Sequence, residues 1–299
     1  MQTNLPIREE VSAVLKVEIL TVTLLKGGAM ANSYCLKIKP HTLSNGQEYL
    51  FLKTDYIDPR AYRMEAEGLH ELSRAQAFCV PQVIYLHKNF LVTEFIKAGE
   101  LHANSWKNFA RNLCKLHEFK NQAYGLREDN YLGISPQKNS PVILLQDGPW
   151  ARFFFEYRIL PPLAMIKKRE WNSQWQQLVD KAFILMEEDL PDPKSGASLL
   201  HGDLWCGNYL VDQAGEIAVV DPAIYYGHPE AELAMMNLFG GFPQEVFDYY
   251  LQQNPPSKNF ARAQWWYQLY HLLNHYNLFG GGYGDQALEK WQQLAGTTS

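Results

Sequence analysis

Cysteine is scarce and scattered, with Cys35, Cys79, Cys114 and Cys206 forming no C-x-x-C pair. Structural zinc needs clustered ligands, and a secreted scaffold is stapled by more regular spacing, so neither is expected. Reduced thiols in a cytoplasmic protein are the simplest reading. Positive charge is not in excess either: 27 Lys and Arg against 32 Asp and Glu leave a formal −5. Without a global basic field, nucleic acid and anionic membrane are not expected partners. No run approaches the ~18 consecutive apolar residues of a membrane span. Residues 1–10 lack the basic-then-apolar order of a signal peptide. What is abundant is aromatic: 8 Trp, 17 Tyr and 15 Phe among 299 residues, within 46% hydrophobic and only 20% charged. That is material for one large domain or two lobes.

The chain changes character part-way along. A short helix is expected over 4–16, with Asn4 as its cap and Pro6 tolerated in the first turn. Strand-like runs follow at 17–25, 33–39 and 48–54. The first two are separated by Gly27-Gly28, and the turn signal Ser44-Asn45-Gly46 precedes the third, which favours an antiparallel meander. Residues 60–75 read as a helix, and 82–86 and 90–96 as two more strands. From Ser105 helical periodicity dominates, with Phe109, Leu113, Leu116 and Phe119 on one face. Residues 121–149 read as a polar connection, longer than compact domains usually carry. Helices are expected again at 152–160, 171–187, 229–239, 244–252, 262–279 and 285–294. The fold class expected is α+β: a strand-rich lobe with one helix (1–97), then a mainly helical lobe (98–299) containing one short hairpin.

The most informative segment is His201-Gly202-Asp203-Leu204-Trp205-Cys206-Gly207-Asn208, followed by Asp221-Pro222-Ala223. Phosphoryl transfer from ATP needs an acceptor for the hydroxyl proton and ligands for Mg²⁺. Kinases supply a catalytic-loop Asp, an Asn five residues later, and an Asp after the next strand pair. Asp203, Asn208 and Asp221 have that spacing, and the runs at 209–211 and 217–220 supply the hairpin. Asp, Gly, Asn and Pro also favour ordinary turns, but three such residues placed around a strand pair make that the minority reading. Lys53, flanked by apolar residues, is expected to need an anionic partner. Glu65 in the following helix is the first candidate and Glu67 the near alternative. Gly27-Gly28 would let backbone amides approach phosphate, although a glycine pair between strands is more often a plain turn. Residues 94–96 (Glu94, Phe95, Ile96) end the fifth strand where a bilobal kinase offers backbone groups to adenine.

The runs HGDLWCGN and DPAIYYGHPEAELAMMNLFGGF resemble the fructosamine kinase (ketosamine 3-kinase) family, relatives of aminoglycoside phosphotransferases. The resemblance spans most of the chain. It includes FLK at 51–53, EAEGLHEL at 65–72, LHE at 116–118, DNYLG at 129–133, Gln137, Asn139, Trp150, Phe154, Arg158 and LNHYNLFGGGY at 273–283. It implies a protein-kinase-like fold and ATP- and Mg²⁺-dependent phosphorylation of the sugar 3-hydroxyl of ketoamines, a deglycating activity. It further implies Asp203 as the base or hydroxyl-orienting residue, Asn208 and Asp221 as metal ligands, and Lys53 with Glu65 as the phosphate-positioning pair. Gly202 stands where protein kinases carry Arg, and no Ala-Pro-Glu follows Asp221, so a phosphate-gated activation loop is not expected. Cys206 replaces the usual Ser, and Ala29 stands where many members have Cys, so redox coupling through that loop is not expected.

An acceptor pocket floored by Trp205, His228 and Glu232, with Tyr225 and Glu230 nearby, would stack a sugar and hold a cationic amine. Trp266, Tyr270 and Leu273 read better as core, and His201 as a structural hydrogen-bonding residue. His271 and His275 stand four apart but lack a third metal ligand. The competing functions are a kinase of the same fold acting on an aminoglycoside or amino alcohol, and a non-catalytic nucleotide-binding module. The second is disfavoured because Lys53, Asp203 and Asp221 are all retained. A protein kinase ranks lower still.

Overall fold

The computed structural model describes residues 7–25, 31–40, 46–56, 58–140 and 143–296. Asn4, Gly27, Gly28, Ser44 and Asn45 lie outside the described residues. Helix α1 (Arg8–Leu15) leads into strands β1 (Ile19–Leu24), β2 (Asn32–Ile38) and β3 (Tyr49–Thr54). Helix α2 (Arg60–Arg74) and strands β4 (Val83–His87) and β5 (Phe90–Glu94) follow. These strands form one sheet in the order β1-β2-β3-β5-β4, and every pairing is antiparallel.

Period-two alternation sorts the two faces of β3. Leu50 and Leu52 join Val22, Leu36, Phe90 and Val92 in a buried cluster on one face. Lys53 lies on the other and pairs in register with Ser33 and Leu91. Leu91 packs there with Tyr62 and Ala66 of α2. Position 53 therefore sits in a central strand with a helix laid over it.

Helix α3 (Ser105–Glu118) begins the helical part. The segment expected as a plain connection instead holds five short strands. These are β6 (Lys120–Asn121), β7 (Ala123–Tyr124), β8 (Asn130–Leu132), β9 (Ser135–Gln137) and β10 (Ile143–Leu144). β8 and β9 pair as a hairpin. The others pair across long sequence separations, which local pattern does not reveal.

Helix α4 (Trp150–Phe154) runs through a π-turn at Phe155–Ile159 into α5 (Leu160–Lys167). Pro161 and Pro162 have no N–H for the carbonyls of Tyr157 and Arg158, so regular helix bonding fails there. The Arg158 guanidinium donates to the Tyr157 carbonyl at 3.1 Å. Helix α6 (Ser173–Asp189), strands β11 (Ala197–Leu200), β12 (Tyr209–Val211), β13 (Ile217–Val219) and β14 (Tyr225–Gly227), and helices α7 (Pro229–Phe239), α8 (Gln244–Gln253), α9 (Phe260–Phe279) and α10 (Tyr283–Ala295) complete the chain.

The β12–β13 hairpin is antiparallel, as its sequence suggests. Strands β11 and β14 were not expected. All seven of their residues are buried, so no alternation marks them; β11 becomes a strand by pairing with both β14 and β6, and β14 by pairing with β11. Trp266, Tyr270 and Leu273 are buried core.

Candidate active site

Two short loops hang from β11, β12, β13 and β14. The first carries His201 to Asn208 and the second Asp221 to Ala223. They are tied by backbone bonds from Ala223 N–H to the His201 carbonyl (2.9 Å) and from Val220 N–H to the Asn208 carbonyl (3.0 Å). Gly202 has φ +82, and a Cβ there would stand 2.1 Å from the Ala223 carbonyl oxygen. Only glycine fits that approach.

Asn208 donates from Nδ2 to the carbonyl oxygen and to Oδ2 of Asp203, at 2.8 and 2.9 Å. Both of these amide bonds use the nitrogen, so the Asn208 Oδ1 is left as a hard oxygen donor. Burial pushes the Asp203 carboxyl well above its usual range, opposed by the Asn208 bond and reinforced by Asp221 and Glu232. A carboxylate of raised proton affinity suits proton transfer.

Across the cleft, Lys53 Nζ lies 2.9 Å from Glu65 Oε1 and 2.7 Å from Asp221 Oδ1. Tyr56 donates to Glu65 Oε2 at 2.6 Å. Burial pulls the ammonium down, but Asp221 and Glu65 outweigh it and hold Lys53 well above its usual value. Lys53 therefore stays charged. Glu67 takes Arg63 at 2.9 Å instead. Asp221 has φ 55, a left-handed backbone that costs free energy in any residue with a Cβ and recurs at functional sites.

These residues border a cavity of about 310 Å³ whose other wall includes Tyr131, Leu132, Trp205, His275 and Phe279. Trp205, 37% exposed, lines it. His228 and Glu232 do not. Glu232, 1% exposed, accepts the backbone N–H of His201 at 2.5 Å and of Gly202 at 3.1 Å, beneath the loop. His228 accepts the Glu230 N–H through Nδ1 and caps α7. His228 holds the N-cap position, where a side-chain acceptor takes an orphan amide of its own helix, whereas Glu232 is claimed by loop amides 31 and 30 residues earlier in the chain. Tyr225 is likewise buried, its ring 4.1 Å from the Arg158 guanidinium.

His201 accepts the Asp203 N–H through Nδ1 (3.3 Å), so Nε2 carries the proton and donates to the Val220 carbonyl (2.9 Å). Burial lowers its pKa, and the ring acts as a strut. Glu94 ends β5, Phe95 and Ile96 follow it, and all three line a separate depression with Cys79 and Asp212. Gly27 and Gly28 lie outside the described residues.

The sequence reading assigned no role to a second layer beneath Asp221. Gln137 Nε2 donates to the Ala223 carbonyl (2.9 Å), and Asn130 Nδ2 donates to that of Ile224 (2.8 Å). Asn139 and Tyr270 brace these two amides. Fully buried Arg158 donates to Asn139 Oδ1 at 2.9 Å. The only sequence signal was the motif run 129–139, with nothing in it to say what it holds. Among the described residues no cluster of three His, Cys, Asp or Glu forms a metal-binding group, and no helix is long and apolar enough to cross a membrane.

The fructosamine kinase family profile matches residues 7–296. A protein named as a probable ketoamine kinase of Synechocystis is 34% identical over 276 residues, covering 90% of this chain and 88% of the relative. A crystal structure of a protein classed as a fructosamine-3-kinase, from Thermobifida fusca, superposes with a TM-score of 0.82 at 28% identity, covering 97% and 98% of the two chains. The choline kinase LicA of Streptococcus pneumoniae shares the fold alone, with a TM-score of 0.64 at 17% identity over 98% of each chain. The fold is thus protein-kinase-like, and the chain belongs to the fructosamine kinase family.

Proposed function

We propose that the protein is an ATP-dependent kinase that phosphorylates the sugar 3-hydroxyl of ketoamines such as fructosamine and ribulosamine adducts. One observation carries this reading: Lys53 is held by both Glu65 and Asp221, with the Asp203–Asn208 pair facing the same cavity. Residues 1–97 then act as the nucleotide lobe and 98–299 as the acceptor lobe. The family's ketoamine and fructosamine relatives point to the acceptor class.

The residues fit a magnesium ion. Mg²⁺ favours a few hard oxygens and keeps several waters, and Asn208 Oδ1 with the Asp221 carboxylate supplies such oxygens. When bound, the ion would neutralise phosphate charge. Lys53, oriented by Glu65, positions the α- and β-phosphates. Gly27 and Gly28 are assigned to phosphate binding, and the backbone at 94–96 to adenine. Asp203, its carboxylate turned by Asn208, orients the sugar hydroxyl and takes its proton as the oxygen attacks the γ-phosphorus of ATP, whose bond to the bridging oxygen breaks to release ADP. Trp205 offers its face to the sugar. The four free cysteines fit a reducing cytoplasm.

The test is ADP release from ATP and magnesium with fructosyl-lysine, ribulosyl-lysine, an aminoglycoside and choline as separate acceptors. Turnover is expected with the ketoamines and lost in Asp203→Asn. Turnover with the aminoglycoside or choline alone would overturn the assignment.

A further inference from the structure

A second pocket of about 590 Å³ is lined by Lys120, Lys194, Lys258 and His228, with walls that include Leu233 and several prolines. It shares none of its lining residues with the cavity holding Asp203. The chain carries net negative charge, yet three exposed lysines line this pocket. None forms an ion pair among the described residues. Lys120 donates to the Ser198 hydroxyl at 2.8 Å.

The two carboxylates of the pocket are held by protein donors. Asp192 Oδ1 accepts the Trp150 N–H (2.6 Å) and the Tyr124 hydroxyl (3.3 Å). Glu230 accepts the N–H and the hydroxyl of Ser257, at 2.6 and 3.0 Å. His228 is only 7% exposed. Its Nδ1 accepts the Glu230 N–H (3.2 Å), so the proton sits on Nε2, and that N–H has no hydrogen-bond partner among the described residues. That N–H is not sealed from solvent, so a ligand in the pocket can reach it. It stands at the start of α7, where the helix dipole favours an anion.

We propose that this pocket binds a phosphate monoester, its phosphate held by His228 Nε2 and the three lysines and its carbon body against the proline and leucine walls. The volume lies within the ~300–1,000 Å³ typical of ligand sites. The pocket also touches the catalytic loop. Tyr250, which lines it, hydrogen-bonds His117 Nδ1 at 2.7 Å. His117 Nε2 lies 3.9 Å from Glu232 Oε2, and Glu232 grips the His201 and Gly202 amides. Because His228 caps the helix that carries Glu232, an anion there bears on the loop holding Asp203. This coupling rests on the kinase reading; the binding does not.

The experiment is calorimetric titration of inorganic phosphate and of phenyl phosphate into the full chain, with magnesium and a non-hydrolysable ATP analogue filling the active cleft. One site is expected, with the ester binding more tightly than phosphate. Lys194→Ala/Lys258→Ala should weaken both by roughly tenfold or more while leaving turnover without added phosphate unchanged. In the intact protein the ester should shift kcat by about twofold or more without altering KM for ATP, and the double variant should abolish that shift. Absence of heat, or equal affinity in the variant, would overturn the site. Equal affinity for ester and phosphate would overturn the ester assignment. Binding without a change in kcat would overturn only the coupling.

Discussion

Lys53 Nζ stands 2.7 Å from Asp221 Oδ1, although 168 residues separate them in the chain. The same ammonium contacts both oxygens of Glu65, at 2.9 and 3.0 Å. One buried cation thus joins the sheet, the helix over it and the loop that follows β13, and the site depends on its charge.

Lys53→Met should abolish useful turnover, lowering kcat/KM for ATP by about 10²-fold or more. It should also destabilise the fold by roughly 3–5 kcal/mol, because Glu65 is left buried without its cation. Lys53→Met/Glu65→Gln should recover most of the stability and none of the activity. Thermal unfolding and steady-state kinetics on both variants check this; recovery of activity in the double variant would refute it.

Glu232 grips the loop from below rather than facing the cavity that holds Asp203. Glu232→Gln should therefore lower kcat by roughly ten- to a hundredfold through loosened amides at His201 and Gly202. The KM for a ketoamine should stay within about twofold. A large rise in that KM with kcat unchanged would instead place the carboxylate against the substrate's amine.

Gln137 holds the Ala223 carbonyl two residues beyond Asp221. Gln137→Leu leaves that buried oxygen and the Asn130 amide short of a partner, at a cost of roughly 1–3 kcal/mol. With Asp221 less firmly held, the affinity for Mn²⁺ in the presence of ADP, read by electron paramagnetic resonance, should fall several-fold. Unchanged Mn²⁺ affinity with lowered stability would make the amide merely structural.

His228 and His271 are both pushed down to about 3, first by burial. Lys120, His117 and Lys194 add repulsion at His228, as do His275 and Arg158 at His271. Their folded values lie below the unfolded value of about 6.5, so the unfolded chain binds more protons in between. The stability they confer is full above pH ~6.5 and is lost as pH falls toward 3, by about 1.4 kcal/mol per pH unit for each ring. Denaturant melts across this range should show that slope, and His271→Gln should flatten it. An unaltered slope in the variant would exclude His271 as a contributor.

Much of this architecture was legible in the residues themselves. The sheet that carries Lys53, the helix that carries Glu65 and the hairpin between Asn208 and Asp221 all announce themselves by period and turn chemistry, which act over a few neighbouring residues. The spacing of Asp203, Asn208 and Asp221 pointed to a phosphotransferase because one loop and one hairpin span it. Other features had no local signature. β11 and β14 are too short and too buried to alternate, and their strand character comes from pairing with each other and, for β11, with β6. Glu232 and His228 read as pocket residues because polar groups near a catalytic motif are ambiguous until their partners are known; the amides of His201, Gly202 and Glu230 decide their orientation. Arg158 is a buried cation whose placement depends on a π-turn, three aromatic rings and the carbonyls around it. The sequence by itself determined which elements form and which residues carry reactive groups, since both follow from side-chain chemistry and short-range periodicity. Only the tertiary structure decided which of those groups meet, because burial and hydrogen-bond satisfaction are settled between segments far apart in the chain.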